Sequence, residues 1–394
     1  MKRRTNRIAL SVLIYGAKMQ LVSLNVKNFR NIASAELDFG DVNAFIGNNA
    51  QGKTNLMEAL SVAIGKSFRK AKANEIVPIG KKDEHISIEL VFSADSSPER
   101  LNKLVYEQSG AKTKHTYNGI DIKEACKLYT EMKYVIFIPD DLYLIKGNPD
   151  LRRSYVDGIA DQMNRIHHER LSEYRRALFQ KNNFLASIRS ERLSQSEQLM
   201  YGIWNENIAR LGVNVMSGRI KYFNMLCRYA NKYYNELNNN NEILTVKYES
   251  SIMGDEEFDI SDTELILNRY LQKLQETQAR ELQTRFTQTG VHRDDISFFI
   301  NGMNAKSFAS QGQIRSIALA LRLAEAEMLS KKWLERPLII LDDVLSELDA
   351  FRRSYVLHQI VNYQIFITGC NCADFCDISG NKCWNVDNGA FSPQ

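Results

Sequence analysis

The sequence predicts an α/β protein: a mixed sheet with helices and an antiparallel β section, opened by a long helical insert. Three observations point to it. A short apolar segment, Val42–Ile46, runs into Gly47-Asn48-Asn49-Ala50-Gln51-Gly52-Lys53-Thr54 and then into a helical pattern marked by Leu56, Leu60 and Ile64. Far downstream, a second apolar segment (338–341) lies between Pro337 and the paired carboxylates Asp342 and Asp343. Between them, residues 151–237 contain no Pro, few Gly and many Arg, Glu, Gln, Leu and Tyr, the composition of long helices.

The 394 residues are 44% hydrophobic and 25% charged, a globular composition for which two domains are the natural expectation. Lys and Arg outnumber Asp and Glu by only 51 to 47, so contact with a polyanion must come from local patches. Residues 1–18 imitate a short signal peptide, with Lys2, Arg3, Arg4 and Arg7 before an apolar run. That run is far below the ~20 residues that span a bilayer. The simpler reading starts translation at Met19 and makes 1–18 an upstream extension. No other stretch reads as transmembrane.

From Met19, the apolar residues Leu21, Leu24 and Val26 read as a strand, and 35–39 as a second one before the glycine-rich loop. The loop fits G-x-x-x-x-G-K-[ST] without mismatch, in the required strand–loop–helix setting. Its glycines let backbone N–H groups wrap phosphates, Lys53 supplies a point charge, and Thr54 ligates Mg²⁺. A nucleotide site is expected here. The basic run Lys66-Ser-Phe-Arg69-Lys70-Ala-Lys72 reads either as a solvated helix end or as a phosphate-contacting patch of Lys66, Arg69, Lys70 and Lys72. Segments 85–93, 104–107 and 112–118 read as strands, with turns at Ser109-Gly110 and Asn118-Gly119. Residues 134–138 form another buried-strand candidate before two turn signals that mark a boundary near 150.

Beyond the helical stretch, 238–241 break the pattern, 244–248 read as a strand, and 263–285 are helical again. These boundaries give four segments: the extension 1–18, a first lobe part 19–150, a helical arm 151–283, and a second lobe part 284–394. His292-Arg293-Asp294-Asp295 reads as a polar turn before strand 296–300, a hydrogen-bond cluster rather than acid–base machinery. Cys370, Cys372, Cys376 and Cys383, with His358, lack a standard zinc spacing and read as free thiols, as do Cys126 and Cys227. In the helix after Ser310, Ile314, Ile317, Ala318, Leu321 and Met328 share one face. Ser310 is a candidate N-cap and Gly312 a place for close backbone approach, so the helix mouth is a candidate anion site.

The order of these motifs resembles the ABC-type ATPases of the SMC and RecF group. In detail it is similar to the RecF family of bacterial recombination mediators. The matching stretches are 28–31, 49–55, 66–69, Lys146-Gly-x-Pro149, Arg152-Arg153, 290–295, Ser310-Gln-Gly-Gln313 and 341–349. The resemblance implies an ABC-type P-loop lobe with an inserted helical arm, and two protomers that sandwich two ATP molecules head to tail. It implies nucleotide contacts from Gly47 through Asn55 and from Arg30. Thr54 and Asp342 would hold Mg²⁺, and Asp343 would stand where relatives carry a water-activating Glu. Ser310, Gly312 and Gln313 would face the partner's nucleotide, and Asp349 would touch the partner. It also implies a cytoplasmic protein that binds DNA at gaps and single/double-strand junctions and acts with RecO and RecR to load RecA.

Three departures imply slow hydrolysis. Asp343 is one methylene shorter than Glu, Thr368 stands where a γ-phosphate-sensing His is expected, and near Pro139 only Asp140 or Asp141 could replace a Mg²⁺-sensing Gln. An SMC-like structural ATPase and a transporter-type subunit are the alternative readings. The first wants a far longer coiled coil, and the second leaves no room for the insert.

Overall fold

A computed structural model describes residues 20–65, 75–78, 84–94, 97–122, 132–188, 192–239, 241–254, 256, 258–369 and 381–394. The extension 1–18, the cations Lys66, Arg69, Lys70 and Lys72, and Cys126, Cys370, Cys372 and Cys376 lie outside these residues. The chain divides into two units, Met1–Asp141 with Arg322–Gln394, and Leu142–Leu321. The arm expected over 151–283 falls inside the second.

The first unit opens with β1 (Gln20–Phe29), β2 (Ile32–Asp38), β3 (Val42–Ile46), β4 (Ile86–Ala94), β5 (Ser97–Ser109), β6 (Lys112–Tyr117), β7 (Ile120–Ile122) and β8 (Tyr134–Phe137). The second unit contributes β9 (Leu244–Glu249), β10 (Asp295–Ile300) and β11 (Met303–Asn304). The chain returns to the first as β12 (Leu338–Asp342), β13 (Ile365–Gly369), β14 (Asn381–Asp387) and β15 (Ala390–Pro393). One sheet of the first unit, in the order β2-β1-β4-β5-β6-β7, is antiparallel. The other runs β15-β14-β3-β13-β12-β8 and is parallel except for its terminal hairpin.

Every residue of β3, β12 and β13 is buried, which is why each reads as a continuous apolar run rather than an alternating one. Their register matters for the site. Asp342 pairs with Thr368, Thr368 with Phe45, and Gly369 with Ile46. The loop that follows β3, the acid that ends β12 and the hydroxyl near the end of β13 therefore emerge at one sheet edge. A contiguous apolar cluster draws on both sheets and on the helix Lys53–Ala63, with Phe39 and Phe366 edge to face at 4.9 Å. Buried Gln364 stitches the sheets together: its amide donates to Leu21 O at 2.7 Å and accepts from Leu21 N at 2.7 Å.

Several strands differ from the sequence reading. β5 reaches back to Ser97 because the long β4 templates it, although 97–103 lack an apolar alternation. The hairpin β14–β15 was not expected; its signal is the Asn388-Gly389 pair, at φ 45° and 81°.

The second unit is built on the helices Pro149–Met163, Arg165–Ser187, Gln195–Leu237 and Thr263–Glu276. At 43 residues, Gln195–Leu237 is ~65 Å long. It starts at a capping box in which Glu197 Oε2 accepts from Ser194 N at 2.8 Å. The helical span expected over 263–285 is two helices, with Thr277 between them.

Through this unit runs a buried polar chain. Arg219, 2% exposed, forks onto Asp157 at 2.8 and 3.0 Å and donates to Val291 O at 2.7 Å. Asp294 accepts from Ser251 N at 2.8 Å and from the Tyr248 hydroxyl. Arg152 forks onto Asp295 at 2.6 and 2.9 Å, and Tyr174 bridges His292 and Tyr270 at 2.7 and 3.1 Å. Lys181 and Glu281, both fully buried, meet at 2.7 Å. The run 292–295 is thus a structural hub. Burial raises Asp294, whereas at Asp157 burial is overcome by Arg219 and His167, which hold its carboxyl well below the usual range.

Candidate functional site

The glycine-rich loop wraps from the end of β3 into the helix Lys53–Ala63. Asn48, Asn49 and Ala50 stand exposed at its crest, and Ala50 takes a left-handed φ of 65°. Lys53 is 7% exposed and turns its ammonium back onto the carbonyls of Gly47 and Asn48, the latter at 3.3 Å. Gly47 has to be glycine, since a Cβ there would lie 2.3 Å from Val386 O.

Beside the loop, Thr54 Oγ1 donates to Asp342 Oδ1 at 3.0 Å. Thr368 Oγ1 donates to the same oxygen at 2.8 Å and accepts from Asp343 N at 2.9 Å. The residue noted in the sequence as a missing histidine is therefore the link between both acids of the pair. Asp343 adopts φ 53°, and its Oδ1 accepts from Ser346 Oγ at 2.9 Å. These contacts hold an acid pair, a threonine hydroxyl and a lysine ammonium at one edge, a donor set suited to polyphosphate with a hard divalent cation.

A second layer braces the loop from behind. Gln51 O accepts from Gly389 N at 2.8 Å and from Asn31 Nδ2 at 3.2 Å, while Gln51 Oε1 accepts from Asn388 N at 2.6 Å. Asn55 Nδ2 donates to Asn31 Oδ1 at 2.8 Å. Gly389 sits at φ 81°, and a Cβ there would lie 2.2 Å from Asn31 O. No sequence signal foretold this clamp; the Asn-Gly turn was visible, its docking was not. Arg30, expected at the nucleotide, forks onto the buried Glu58 at 2.5 and 2.9 Å and so fastens the helix behind the loop.

The remaining site candidates fall as follows. Asp349 caps the helix Ala350–Ile360, accepting from Arg352 N at 2.9 Å; that N–H, with the Arg352 side chain, holds its carboxyl below the ordinary value. Asp141 is buried, accepts from Ile138 N at 3.1 Å and pairs with Arg322, whose Nε lies 3.0 Å away. In the second unit, Ser310 and Gln313 form a reciprocal cap. Gln313 N donates to Ser310 Oγ at 3.2 Å and Ser310 N donates to Gln313 Oε1 at 2.8 Å. Gln313 Nε2 reaches Glu242 at 2.7 Å, so both ends of its amide are engaged. Ser310 is exposed, and a Cβ on Gly312 would meet only Ser310 Oγ, at 4.0 Å. Cys227 and Cys383 are in no disulfide, and the Cys383 thiol donates to Gln394 Oε1 at 3.1 Å. Among the described residues no cluster of three or more His, Cys, Asp or Glu could hold a metal, and no helix is long and apolar enough to cross a membrane.

A phosphate loop after one parallel strand, an acid pair at the end of another, an antiparallel companion sheet and a capped Ser-Gln-Gly-Gln helix define an ABC-type P-loop ATPase fold. The family of RecF/RecN/SMC N terminal domains matches residues 20–375. The DNA replication and repair protein RecF of Listeria monocytogenes serotype 4b is 35% identical over 355 residues, spanning 89% of this chain and 92% of that protein. RecF of Bacillus cereus (strain G9842) is 33% identical over 364 residues, with the same coverage of each chain. A solved structure of the recombination mediator RecF with ATP, in the RecFOR pathway, is 31% identical with a TM-score of 0.86, covering 96% of this chain and 98% of that one. The Smc head from Pyrococcus furiosus, at 12% identity and a TM-score of 0.53, shares the fold. The chain belongs to the RecF family.

Proposed function

We propose that this chain is a slow, DNA-associated ATPase of recombinational repair and replication-fork maintenance, working in the cytoplasm. The observation that carries the proposal is the meeting of Thr54 and Asp342, 288 positions apart in sequence, at 3.0 Å beside a lysine held over the loop. That is the donor pair on which ABC-type ATPases hold Mg²⁺, and the residues fit it. ATP would lie along 47–55, with Lys53 moving from the loop carbonyls to the β- and γ-phosphates. Mg²⁺ bound by Thr54 and Asp342 would neutralise charge on the phosphate oxygens. Asp343 would orient water, and its short side chain, already engaged by Ser346, accounts for slow turnover.

Two protomers would close on ATP, with Ser310, Gly312 and Gln313 of one facing the γ-phosphate held by the other and Asp349 at the partner's surface. The closed dimer would bind DNA at gaps and single/double-strand junctions, working with RecO- and RecR-type partners to load RecA. Support comes from the ATP complex and the RecFOR setting of the similar solved structures. Sedimentation with ATP tests the shared site. Lys53→Ala should lose ATP binding and remain monomeric, Asp343→Asn should bind ATP and persist as a dimer, and Ser310→Arg should bind ATP without pairing. A Ser310→Arg protein that dimerises normally would refute the shared site.

A further inference from the structure

The hydroxyls of Thr54 and Thr368 both donate to Asp342 Oδ1, at 3.0 and 2.8 Å, and so belong to the site described above. A further hydroxyl, that of Ser346, acts on the other acid of the pair. Ser346 lies exposed in the short 3-10 turn Leu345–Glu347 that follows β12. Its Oγ stands 3.0 Å from Asp343 O and 2.9 Å from Asp343 Oδ1. Contact with the carbonyl three residues back is the ordinary way in which a serine closes such a turn. Contact with the carboxylate is not needed for the turn. It engages the side chain assigned above to orient water.

A serine hydroxyl carries one proton, so it serves one of these two oxygens at a time. Bonded to Oδ1, it occupies an oxygen of the carboxylate and fixes the orientation of the Asp343 side chain. Bonded to the carbonyl, it still closes the turn and leaves the carboxylate free to rotate. The backbone has no such freedom. Asp343 is held at φ 53°, a conformation costly for a residue with a Cβ, and its N–H donates to Thr368 Oγ1 at 2.9 Å. Thr368 is itself fixed opposite Asp342 in the register of β13 on β12. Rotation of the carboxylate is therefore the movement left to Asp343, and the Ser346 hydroxyl opposes it. We propose that Ser346 is a positioning residue, a latch on Asp343 whose release speeds hydrolysis. The proposal rests on the ATPase reading above, in which Asp343 orients water, and names the group that holds this acid back.

The test uses the full chain with ATP and Mg²⁺. Ser346→Ala should raise kcat by about tenfold, the rate equivalent of releasing one hydrogen bond to a carboxylate. Its affinity for a fluorescent ATP analogue should be unchanged. Ser346→Thr, which keeps the hydroxyl, should bring the rate back toward that of the unaltered chain. In an Asp343→Asn background Ser346→Ala should have no effect on rate, because no carboxylate is there to be released. Sedimentation gives a readout apart from turnover: the ATP-held dimer should dissolve sooner in Ser346→Ala and persist in Asp343→Asn. A merely structural serine predicts the opposite sign, a slower and less stable enzyme. A Ser346→Ala rate at or below that of the unaltered chain would overturn the latch while leaving the ATPase reading intact. The same acceleration in the Asp343→Asn background would also overturn it, since the serine would then act elsewhere. If Asp343→Asn hydrolyses ATP as fast as the unaltered chain, the water-orienting role fails and the latch fails with it. Absence of hydrolysis in both the unaltered chain and Ser346→Ala would remove the ATPase reading together with the latch.

Discussion

In the first unit, the cluster shared by the two sheets is a continuous set of aliphatic and aromatic side chains, whereas the second unit threads arginine, aspartate, lysine, glutamate and phenols through its interior. Non-directional apolar burial tolerates small changes of shape. A buried ion pair tolerates the loss of neither partner, because the survivor is left charged and unsolvated. The two units should therefore respond to substitution and to pH in different ways.

The largest expected effect is at Arg219. Arg219→Ala removes the arginine fork from the buried Asp157, leaving it His167 at 3.2 Å, and should cost about 3–5 kcal/mol. Urea unfolding followed at Trp204, the tryptophan of the second unit, reads the loss. A shift near that of an ordinary surface mutant would mean that the pair contributes little.

A smaller effect follows from His292, whose imidazole burial holds down at about 4, with Arg293, Arg153 and Lys181 adding repulsion. The unfolded chain takes up the proton first, so the stability this site contributes is complete above about pH 6.5 and declines as pH falls toward 4, by no more than about 3 kcal/mol. His292→Gln should flatten the dependence of the urea midpoint on pH across that window. An equally steep dependence in the variant would assign the acid sensitivity to other groups.

In the first unit, Gly389→Ala forces a Cβ against Asn31 O and should displace Gln51. The expected result is at least about a tenfold weaker affinity for ATP with about 1–2 kcal/mol of lost stability. Titration with a fluorescent ATP analogue separates this from simple destabilisation, because a Gly110→Ala control, whose Cβ would meet nothing within 4 Å although φ is also positive, should leave affinity unchanged. The smallest effect is Ile340→Val in β12, expected to cost about 1 kcal/mol, measured as a change in the urea midpoint. A loss there as large as at Arg219 would erase the contrast between the units.

Local chemistry made much of the molecule legible. The phosphate loop, the buried strands at 42–46 and 338–341, the Asp342-Asp343 pair and the Ser310 cap announce themselves within a few residues, because backbone wrapping, strand burial and capping are short-range requirements. The same holds for the breaks at 238–241 and the turns at Gly110 and Gly119. What stayed hidden depends on partners far apart in the chain. Thr368 looks like an absence until β13 is laid beside β12 and its hydroxyl meets Asp342. Arg30 reads as a nucleotide contact, and its fork onto the buried Glu58 of the next helix shows only once the chain is folded. The Asn388-Gly389 turn becomes part of the loop's scaffold only when the terminal hairpin is added to the edge of β3. His292 to Asp295 reads as a polar turn, yet Tyr174, Ser251 and Arg152 converge on it from three other segments. Sequence alone determines which groups the chain carries and which short frames they sit in. Which buried charge finds which partner is decided by the tertiary structure, because burial makes a missing partner costly and only packing says which partner is near.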